Sequence, residues 1–547
     1  MYHQESGSQE GLHLAKRKVS PMTVEDISAE DGAAPAAPPD PAASAKQTSL
    51  LYVVSHRLAE SGAHGIPNIQ RANSNFRRVA WTLLFLAGFG MFIYQGCDLI
   101  IKFYKWPYNV NIEVRTPKRV EFPAVTWCNL NPIRKDALAD FTDLRSLLEG
   151  GSSSCGTAVN ATFGGYPGDW ESADIDYELE DCTSQTVDAA IDIVGAMPYQ
   201  ERAVTGHRLN DMLLMCTFQQ KPCSPKNFTS FYNSRYGNCF TFNSASRGVA
   251  PLKVTRTGPS YGLSMELYIQ QDRYITGVET GAGIRIMVHN QTEMAFPEDI
   301  GANIAPGTES FLGLYRAMVN RLSDPYGDCA TDFTQDNIFK EQFKRLEYTK
   351  EACEKDCFFR AVLLDCNCAY INYRYNDSQA PCNSSVKAVK TCIEKVENNF
   401  TSGELRCGHC HKSCNETRYQ ISFSNSKWPN REYMETVRKN IQESNKETIS
   451  LIKNNSYFIE DNVLRVNVYF DSLNYDDIFQ TAAYTLGSLV SDLGGQVGLW
   501  IGVSVLTLFE FLELMIDIFV LISTRCRAGG ENRRIGKTGQ ENSRPQA

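Results

Sequence analysis

Two long apolar stretches stand out from the otherwise polar hydropathy pattern of this 547-residue chain. The first, residues 79–101, contains a single charged residue, Asp98, close to its far end. The second runs from residue 484 to residue 522. Each is long enough to cross a bilayer as a helix, which needs roughly 20 residues. Because the mean hydropathy of the whole chain is −0.32, most of the protein is predicted to lie outside the membrane.

The second stretch differs from a simple lipid anchor because it carries acids and many small residues. Glu510, Glu513 and Asp517 are three and four residues apart, so they share one face of a helix. Acids at membrane depth are costly, usually face a bundle interior or a water-filled path, and in rings suit a cation path. The alternative is a plain anchor whose last acids lie in the cytosol. The glycines that allow close backbone approach are Gly487, Gly494, Gly495, Gly498 and Gly502.

Arginine residues precede the first apolar stretch and follow the second. They are Arg71, Arg77, Arg78, Arg525, Arg527, Arg533 and Arg534. The positive-inside rule therefore predicts that both chain ends are cytosolic and that residues 104–480 are extracellular. The expected protein is a multi-pass plasma-membrane protein with spanning segments at 79–103 and 481–522.

Glycosylation and cysteine patterns agree with this topology. All eight N-x-Ser/Thr acceptors fall in the proposed outer segment, as glycan acceptors should. They are Asn160, Asn227, Asn290, Asn376, Asn383, Asn399, Asn415 and Asn454. Of the 18 cysteines, only Cys97 and Cys526 lie elsewhere, which leaves an even number outside and makes disulfides possible.

The outer segment mixes strand and helix patterns. Alternating or continuous apolar residues predict strands at 109–116, 264–271, 283–290 and 464–473. Helical periodicity is found at 337–346 and 431–444. The expected fold class is an α+β membrane protein whose two helices flank a large ectodomain. Two spans cannot enclose a pore alone, so a pore requires that subunits associate.

The two ends of the chain are predicted to be cytosolic tails. Residues 1–60 are expected to be disordered because they contain the Ala- and Pro-rich run 31–46, although 49–60 is compatible with a short amphipathic helix. Residues 61–78 connect this tail to the first span, and residues 523–547 form the second tail. The net charge of −9 argues against a nucleic-acid partner.

No pattern supports an enzyme, a metal or a cofactor. The run CGHCHKSC at 407–414 has the composition of a zinc site, but disulfides are the better expectation outside the cell. The outer histidines have no paired nucleophile and so make no catalytic triad; they are His207, His289, His409 and His411. The acidic run 169–181 could attract a cationic ligand, although a solvated surface is the default interpretation.

Several long blocks of the chain occur in the order known from one membrane-protein family. They include FPAVTWCNLNP at 122–132, the pair His64-Gly65, and GGQVGLWIGVSVLTLFEFLE at 494–513, with cysteine-rich blocks between them. On these motifs the chain resembles the degenerin/epithelial sodium channel superfamily, which includes the acid-sensing channels. The resemblance extends from about residue 64 to residue 518.

The resemblance implies a sodium-selective cation channel in the lipid bilayer, permeable to Na⁺ and blocked by amiloride. It implies a homotrimer whose disulfide-rich ectodomain has a β-rich palm, a β-ball, a knuckle, a finger at about 131–235 and a thumb at about 325–425. Within the second span, the selectivity filter of the family falls on Gly502, Val503 and Ser504, where small residues interrupt the helix so that carbonyls can face the ion.

Two further pore positions are implied by the resemblance. The pair His64-Gly65 falls in a re-entrant loop below the filter. The gate-proximal position that gives the degenerins their name falls on Ser491, next to Asp492. A bulky side chain at Ser491 is expected to hold the gate open.

The resemblance also implies a set of disulfide partners. The pairs are Cys128–Cys239, Cys216–Cys223, Cys329–Cys414, Cys353–Cys410, Cys357–Cys407, Cys366–Cys392 and Cys368–Cys382, which leaves Cys155 and Cys182 as an extra pair in the finger. Closely spaced bridges in 353–414 would stiffen the thumb, which could then carry a distant binding event towards the pore.

The long finger with its extra cysteine pair is similar to the invertebrate peptide-gated members, such as the FMRFamide-gated sodium channels. An amidated peptide with an arginine, a free amine and two phenylalanine rings needs acids and an apolar cleft. The candidate peptide-binding residues are Asp169, Trp170, Glu171, Asp174, Asp176 and Tyr177. The alternatives are a proton-gated or constitutively open sodium channel of the same family, an ATP-gated channel of similar topology, and a non-conducting cell-surface receptor.

Overall fold

A computed structural model describes most of the ectodomain and the helical segments around it. The described residues are 50–63, 65–142, 144–146, 190–275, 279–333, 337–340, 345–373, 377–384, 386–405, 407–444 and 457–538. Some residues singled out above lie outside these ranges, and nothing structural is said of them. They are His64, Cys155, Cys182, Asn160, Asn376, Asn454, Asp169, Trp170, Glu171, Asp174, Asp176 and Tyr177.

The chain divides into two compact units, one formed by residues up to 98 and from 490 onwards, the other by residues 99–489. The helices are α1 (Leu50–Glu60), α2 (Ile66–Arg71), α3 (Asn75–Tyr104), α4 (Tyr199–Thr205), α5 (Leu209–Met212), α6 (Lys350–Cys366), α7 (Lys387–Thr401), α8 (Met434–Ser444), α9 (Phe458–Asn462), α10 (Leu486–Trp500) and α11 (Val505–Thr538).

Fourteen named strands form three sheets in the described part of the chain. They are β1 (Tyr108–Arg115), β2 (Val120–Glu121), β3 (Ala124–Asn129), β4 (Leu213–Phe218), β5 (Lys221–Pro222), β6 (Phe228–Asn233), β7 (Gly237–Phe242), β8 (Lys253–Val254), β9 (Leu263–Tyr268), β10 (Ile284–His289), β11 (Ala302–Ile304), β12 (Thr308–Asn320), β13 (Asn415–Lys427) and β14 (Val463–Ala482).

Among the described residues, one unbroken helix is long and apolar enough to cross a membrane, namely α3. Only 6% of its apolar window is buried within the chain. Large side chains such as Leu83, Leu84 and Phe89 are exposed along it. A helix whose apolar surface finds no protein partner is typical of one that faces lipid or another subunit.

The larger sheet has seven strands in the order β13-β12-β14-β9-β4-β5, with β1 added along β14. Strand β14 is 20 residues long, so its first half pairs with β9 and its second half with β1. Strands β12 and β14 run parallel, while the other pairs are antiparallel. The long strand β14 therefore connects the part of the sheet that contains β9 with the part that contains β1.

A second, five-stranded sheet has the order β11-β10-β3-β7-β6 and packs face to face on the first. The main core lies between them, where Trp127 and Phe240 from the smaller sheet join Leu267, Leu312 and Val466 from the larger one. All five side chains are buried. This apolar contact between two sheets is what orders the ectodomain, at roughly 25 cal/mol per Å² buried.

Two helices, α6 and α7, form a separate small core beside the sheets. Thr349 caps the start of α6 by accepting a hydrogen bond from the backbone N–H of Ala352 at 3.2 Å, and Asn367 ends it in a left-handed conformation. Phe358 of α6 packs edge-on against Phe400 of α7, with ring centroids 5.5 Å apart.

Seven disulfides lie in the described part of the chain, and their partners are the pairs implied by the resemblance. They are Cys128–Cys239, Cys216–Cys223, Cys329–Cys414, Cys353–Cys410, Cys357–Cys407, Cys366–Cys392 and Cys368–Cys382. The first joins cross-strand neighbours of β3 and β7. Two others tie the first half of α6 to the cysteine-rich run at 407–414, and Cys366–Cys392 joins the end of α6 to α7.

Most elements predicted from periodicity are confirmed, and one is wrong. Strands β1, β9 and β10 match their predicted runs, α8 matches the predicted helix at 431–444, and α1 matches the amphipathic run at 49–60. The helix predicted at 337–346 is not formed at its described start, because residues 337–340 make a turn. The Asn337 side chain accepts from the N–H of Phe339 at 2.9 Å, and Asp356 accepts from the N–H of Ile338 at 3.0 Å.

A charged ladder crosses three strands of the larger sheet. Arg465 of β14 lies opposite Glu266 of β9 and Glu309 of β12, at 2.5 and 3.4 Å. The guanidinium stacks on Trp428 and Tyr433, at 4.7 and 5.1 Å from the ring centroids. Since Glu266 is fully buried, its carboxylate depends on Arg465 for compensation.

We expect Arg465→Met to destabilise the ectodomain by about 3–5 kcal/mol, because it leaves the Glu266 carboxylate buried without a countercharge. The double variant Arg465→Met with Glu266→Gln should recover part of this loss. The measurement is the Tm of the purified protein, with Lys427→Met, which removes a surface ion pair, as the control that changes little. A double variant no more stable than Arg465→Met alone would contradict the assignment.

Candidate functional site

The second apolar stretch forms two helices with a break between them. Helix α10 ends at Trp500 and α11 begins at Val505. Within the break, Gly502 has a φ of 72°, the left-handed region that a residue with a Cβ atom rarely adopts. The interruption therefore coincides with Gly502, Val503 and Ser504, the three residues on which the family filter is expected to fall.

The break releases backbone carbonyls from the helical hydrogen-bond ladder. The last regular bonds of α10 run from the N–H groups of Ile501 and Gly502 to Val497 and Gly498, and the ladder resumes with Leu508 donating to Ser504. In the described bonds, no N–H of residues 503–507 donates to the carbonyl four residues before it. The carbonyl oxygens of residues 499–503 are thus left for other partners, which suits the binding of a cation.

The start of α11 is capped by its own side chains. The Ser504 hydroxyl accepts from the N–H of Thr507 at 3.2 Å, and the Thr507 hydroxyl accepts from the N–H of Ser504 at 3.2 Å. This reciprocal arrangement satisfies N–H groups that a helix start leaves unpaired. The N–H groups of the break are partly satisfied within the chain, whereas its carbonyls are not.

Helix α3 holds the end of α10 in position. The Trp500 indole N–H donates to the side-chain oxygens of Gln95, at 2.8 Å, and of Gln496, at 3.1 Å. A Cβ atom added at Gly88 would lie 3.0 Å from the Trp500 carbonyl oxygen, so a glycine is needed for this approach. The two helices therefore meet at the break itself.

The acids of α11 are contacted by the segment that precedes α3. Arg57 of α1 donates to Glu513 at 3.0 Å and to Asp517 at 2.9 Å. The backbone N–H of Gly62 donates to Glu510 at 2.9 Å. The predicted sharing of one helical face by the three acids is thus observed, and in the single subunit that face lies against residues 57–62.

Two glycines before α3 approach the neighbouring helices closely. A Cβ atom at Gly62 would lie 3.0 Å from the Thr507 hydroxyl, which is itself buried. Gly65 has a φ of 88° and immediately precedes α2, and a Cβ atom there would lie 3.4 Å from the Phe85 ring of α3. Gly62 therefore lies beside the start of α11 and Gly65 beside α3.

Residues 58–514 match the protein family described as "Amiloride-sensitive sodium channel". The chain belongs to this family. It is similar to the epithelial sodium channel subunit alpha of Xenopus laevis, with 30% identity over 523 aligned positions that cover 84% of this chain and 80% of the relative. The human epithelial sodium channel subunit alpha is 28% identical, covering 89% of this chain and 82% of the relative.

A second kind of relative is also found. The acid-sensing ion channel 1C of Danio rerio is 29% identical over 480 aligned positions, covering 84% of this chain and 82% of the relative. The chain is therefore a sodium channel of the degenerin/epithelial sodium channel superfamily, a family of ion channels and not of enzymes. Its match spans both the interrupted helix and the disulfide-bridged ectodomain.

Ser491 and Asp492, the expected gate-proximal residues, lie on α10 about three helical turns before Gly502. Both are exposed within the single subunit. Trp106, just after α3, packs against Tyr326 in the expected thumb region, with ring centroids 5.3 Å apart. This contact joins residue 326 to the segment that follows α3.

Two of the four outer histidines are unsuited to sensing acid. Burial lowers the pKa of His207 and of His289 to about 4, although each ring has a hydrogen-bond partner. His409 and His411 are not buried. Protonation near neutral pH is instead expected at Glu293, because burial, with smaller contributions from Glu347, Glu351 and Glu416, raises the pKa of its carboxyl to about 7.

Glu293 was missed by the sequence analysis because its titration depends on burial, which no local pattern reveals. The cysteine-rich run at 407–414 does not form a thiolate zinc site. Cys353, His409 and Cys410 lie close together, but the two cysteine sulfurs are joined in a disulfide. The glycosylation acceptors Asn227, Asn383 and Asn415 are exposed, as a glycan requires.

We expect the charge reversal Arg57→Glu to lower the sodium current a few-fold, because it places a third negative charge beside Glu513 and Asp517. Combining it with Asp517→Arg should restore the current towards the wild-type level by re-forming the ion pair. The measurement is whole-cell current divided by surface expression.

The matched control for this swap is Arg71→Glu, since Arg71 contacts the backbone oxygen of Ala59 at 2.6 Å and none of the three acids. Combined with Asp517→Arg, it should give no recovery. A double variant of Arg57 and Asp517 that carries no more current than its two parents would show that the contact does not matter for conduction.

Proposed function

We propose that three copies of this sodium channel subunit assemble around α10 and α11 and conduct Na⁺ between them. Both chain ends are then cytosolic, and amiloride blocks the pore. The observation that carries the proposal is the break at Gly502, which leaves carbonyl oxygens of residues 499–503 without helical partners. Irregular backbone at membrane depth is tolerated where it lines a water-filled path, and carbonyl rings can replace the hydration shell of an ion.

The acids of α11 support the same interpretation. Glu510, Glu513 and Asp517 follow the break within about four helical turns and bring negative charge to one end of the path. A non-conducting receptor would gain nothing from acids and released carbonyls in an apolar segment. The same features distinguish the chain from a simple membrane anchor.

As the natural stimulus we propose an extracellular amidated peptide of the FMRFamide type. The support is the long finger at about 131–235 with its extra cysteine pair and the acidic run at 169–181. The burial of His207 and His289 adds to this, because it removes two of the groups that would most readily sense acid. A peptide bound at the finger could act on the pore through the bridged thumb and the contact of Trp106 with Tyr326.

We expect oocytes expressing the chain to show an amiloride-blocked inward current on application of FMRFamide-like peptides. The current should vanish when Na⁺ is replaced by N-methyl-D-glucamine. Ser491→Trp serves as the second arm, because a bulky group at this exposed position of α10 should hold the gate open without agonist.

The two arms separate the failure of the stimulus from the failure of the pore. A Ser491→Trp channel that conducts, without any peptide response in the wild type, would refute peptide gating alone. A Ser491→Trp channel that reaches the surface and never passes Na⁺ would refute the proposed pore.

Glu293 favours one alternative stimulus, protons. A carboxyl whose pKa is raised by folding holds its proton more tightly in the folded state, so ionising it costs stability. This cost begins as pH rises above the usual value of 4.5 and is complete above about 7. A proton taken up at Glu293 could therefore be coupled to a conformational change at mildly acidic pH.

We expect Glu293→Gln to raise the stability of the purified protein at pH 8, on the order of 2–3 kcal/mol, and to change it little at pH 4.5. The control is the exposed acid Glu404, whose Gln variant should behave as the wild type at both pH values. If protonation of Glu293 opens the channel, Glu293→Gln should also conduct at pH 8 without an acid step. Equal stabilisation at both pH values would contradict the raised pKa.

A further inference from the structure

A polar cavity of about 290 Å³ lies in the ectodomain. It is bounded by β12 and β13 at one edge of the larger sheet and by the turn that follows β10 in the smaller sheet. The beginning of the thumb region closes it at Glu347. All of its lining residues are described, and they are mostly polar.

One wall of the cavity carries a cation without a hydrogen-bonded partner. The Arg316 guanidinium stacks on the Tyr475 ring at 4.2 Å from its centroid. Its Nε has almost no accessible surface and no partner among the described residues, so the terminal Nη groups are the ones that can reach the cavity. Stacking orients the guanidinium but satisfies none of its N–H groups.

The backbone of this part of the wall is fixed, since the Thr292 carbonyl accepts from the N–H of Glu347 at 3.0 Å. The terminal Nη groups of Arg316 thus offer unused, charged donors to the cavity. This is the pattern that recognises a carboxylate or a similar small anion.

The acids around the cavity are paired with one exception. Glu416 is held by Arg321 at 2.6 Å and by Arg418, and Glu121 is held by Lys253 at 3.1 Å. Glu347, which is exposed at the rim, forms no ion pair within the described part of the chain. Its carboxylate remains available for an incoming cationic group.

We propose that this cavity binds a small zwitterion of the α-amino acid class. The ligand carboxylate accepts from the terminal Nη groups of Arg316, while its ammonium group faces the Glu347 carboxylate. A divalent metal ion is not favoured, because it would find one unpaired carboxylate beside a fixed positive charge. A simple anion is not favoured either, because it would leave Glu347 unpaired.

The test is the thermal stability of the full-length, detergent-solubilised protein with each of the standard L-amino acids. At least one amino acid should raise the Tm by a few degrees at saturation, because it binds the folded state alone. Its carboxamide and its N-acetyl derivative should each fail, since each lacks one of the two charged groups. Acetate and inorganic phosphate are included as simple anions.

Arg316→Gln and Glu347→Gln should each weaken the apparent affinity, taken from the concentration dependence of the Tm shift, at least ten-fold. Arg345→Gln, which changes a residue outside the cavity, should leave this affinity unchanged. Because Glu347 is exposed, its variant keeps the test informative even if Arg316→Gln does not fold. The proposal is overturned if no amino acid raises the Tm, if acetate or phosphate is equally effective, or if Glu347→Gln leaves the shift unchanged. The readout is ligand-dependent stability, so it does not depend on what opens the channel.

Discussion

A helix that is interrupted inside an apolar stretch must find new partners for the backbone groups that it releases. In this sodium channel subunit the N–H groups and the carbonyls are treated differently. Ser504 and Thr507 take up N–H groups at the start of α11, and the carbonyls of residues 499–503 receive no equivalent. Five carbonyls are left without a described partner, against the N–H groups of residues 503, 505 and 506, so acceptors outnumber donors and the released groups favour a cation over an anion. Gly502 makes it possible, because the turn needs a positive φ.

Much of the neighbouring structure serves to hold this break in place. Trp500, the last residue of α10, donates its indole N–H to the Gln95 side chain of α3. Gly88 of α3 allows the backbones of the two helices to approach closely at this point. On the other side, Gly62 fits against Thr507 and Arg57 joins two of the acids beyond it. Helix α3 and the segment before it are therefore structurally coupled to the interrupted segment that we propose to conduct, so their sequence is constrained by packing against it.

The sequence allowed the elements with strong local signals to be predicted, but not the contacts between distant segments. Apolar runs gave the strands and the long helix, and the family motif located the interruption at Gly502. At the described start of the helix expected at 337–346, residues 338–340 form a turn instead. The N–H of Ile338 donates to Asp356 of α6, a tertiary contact that periodicity does not record. The ion pairs of Arg57 join residues 456 and 460 positions apart, and nothing local indicates them.

Burial explains why the sequence pattern did not show which groups titrate near neutral pH. Histidines are the usual candidates for a response near neutral pH, yet two of the four outer ones are enclosed and held neutral by desolvation. Desolvation raises the pKa of an acid and lowers that of a histidine. Glu293 is therefore the group whose pKa lies near 7, whereas the pKa values of His207 and His289 lie near 4. The same carboxyl lies within electrostatic range of Glu347 and Glu416, two acids of the polar cavity. A charged ligand in that cavity and a proton on Glu293 would therefore affect each other's binding, as linkage requires.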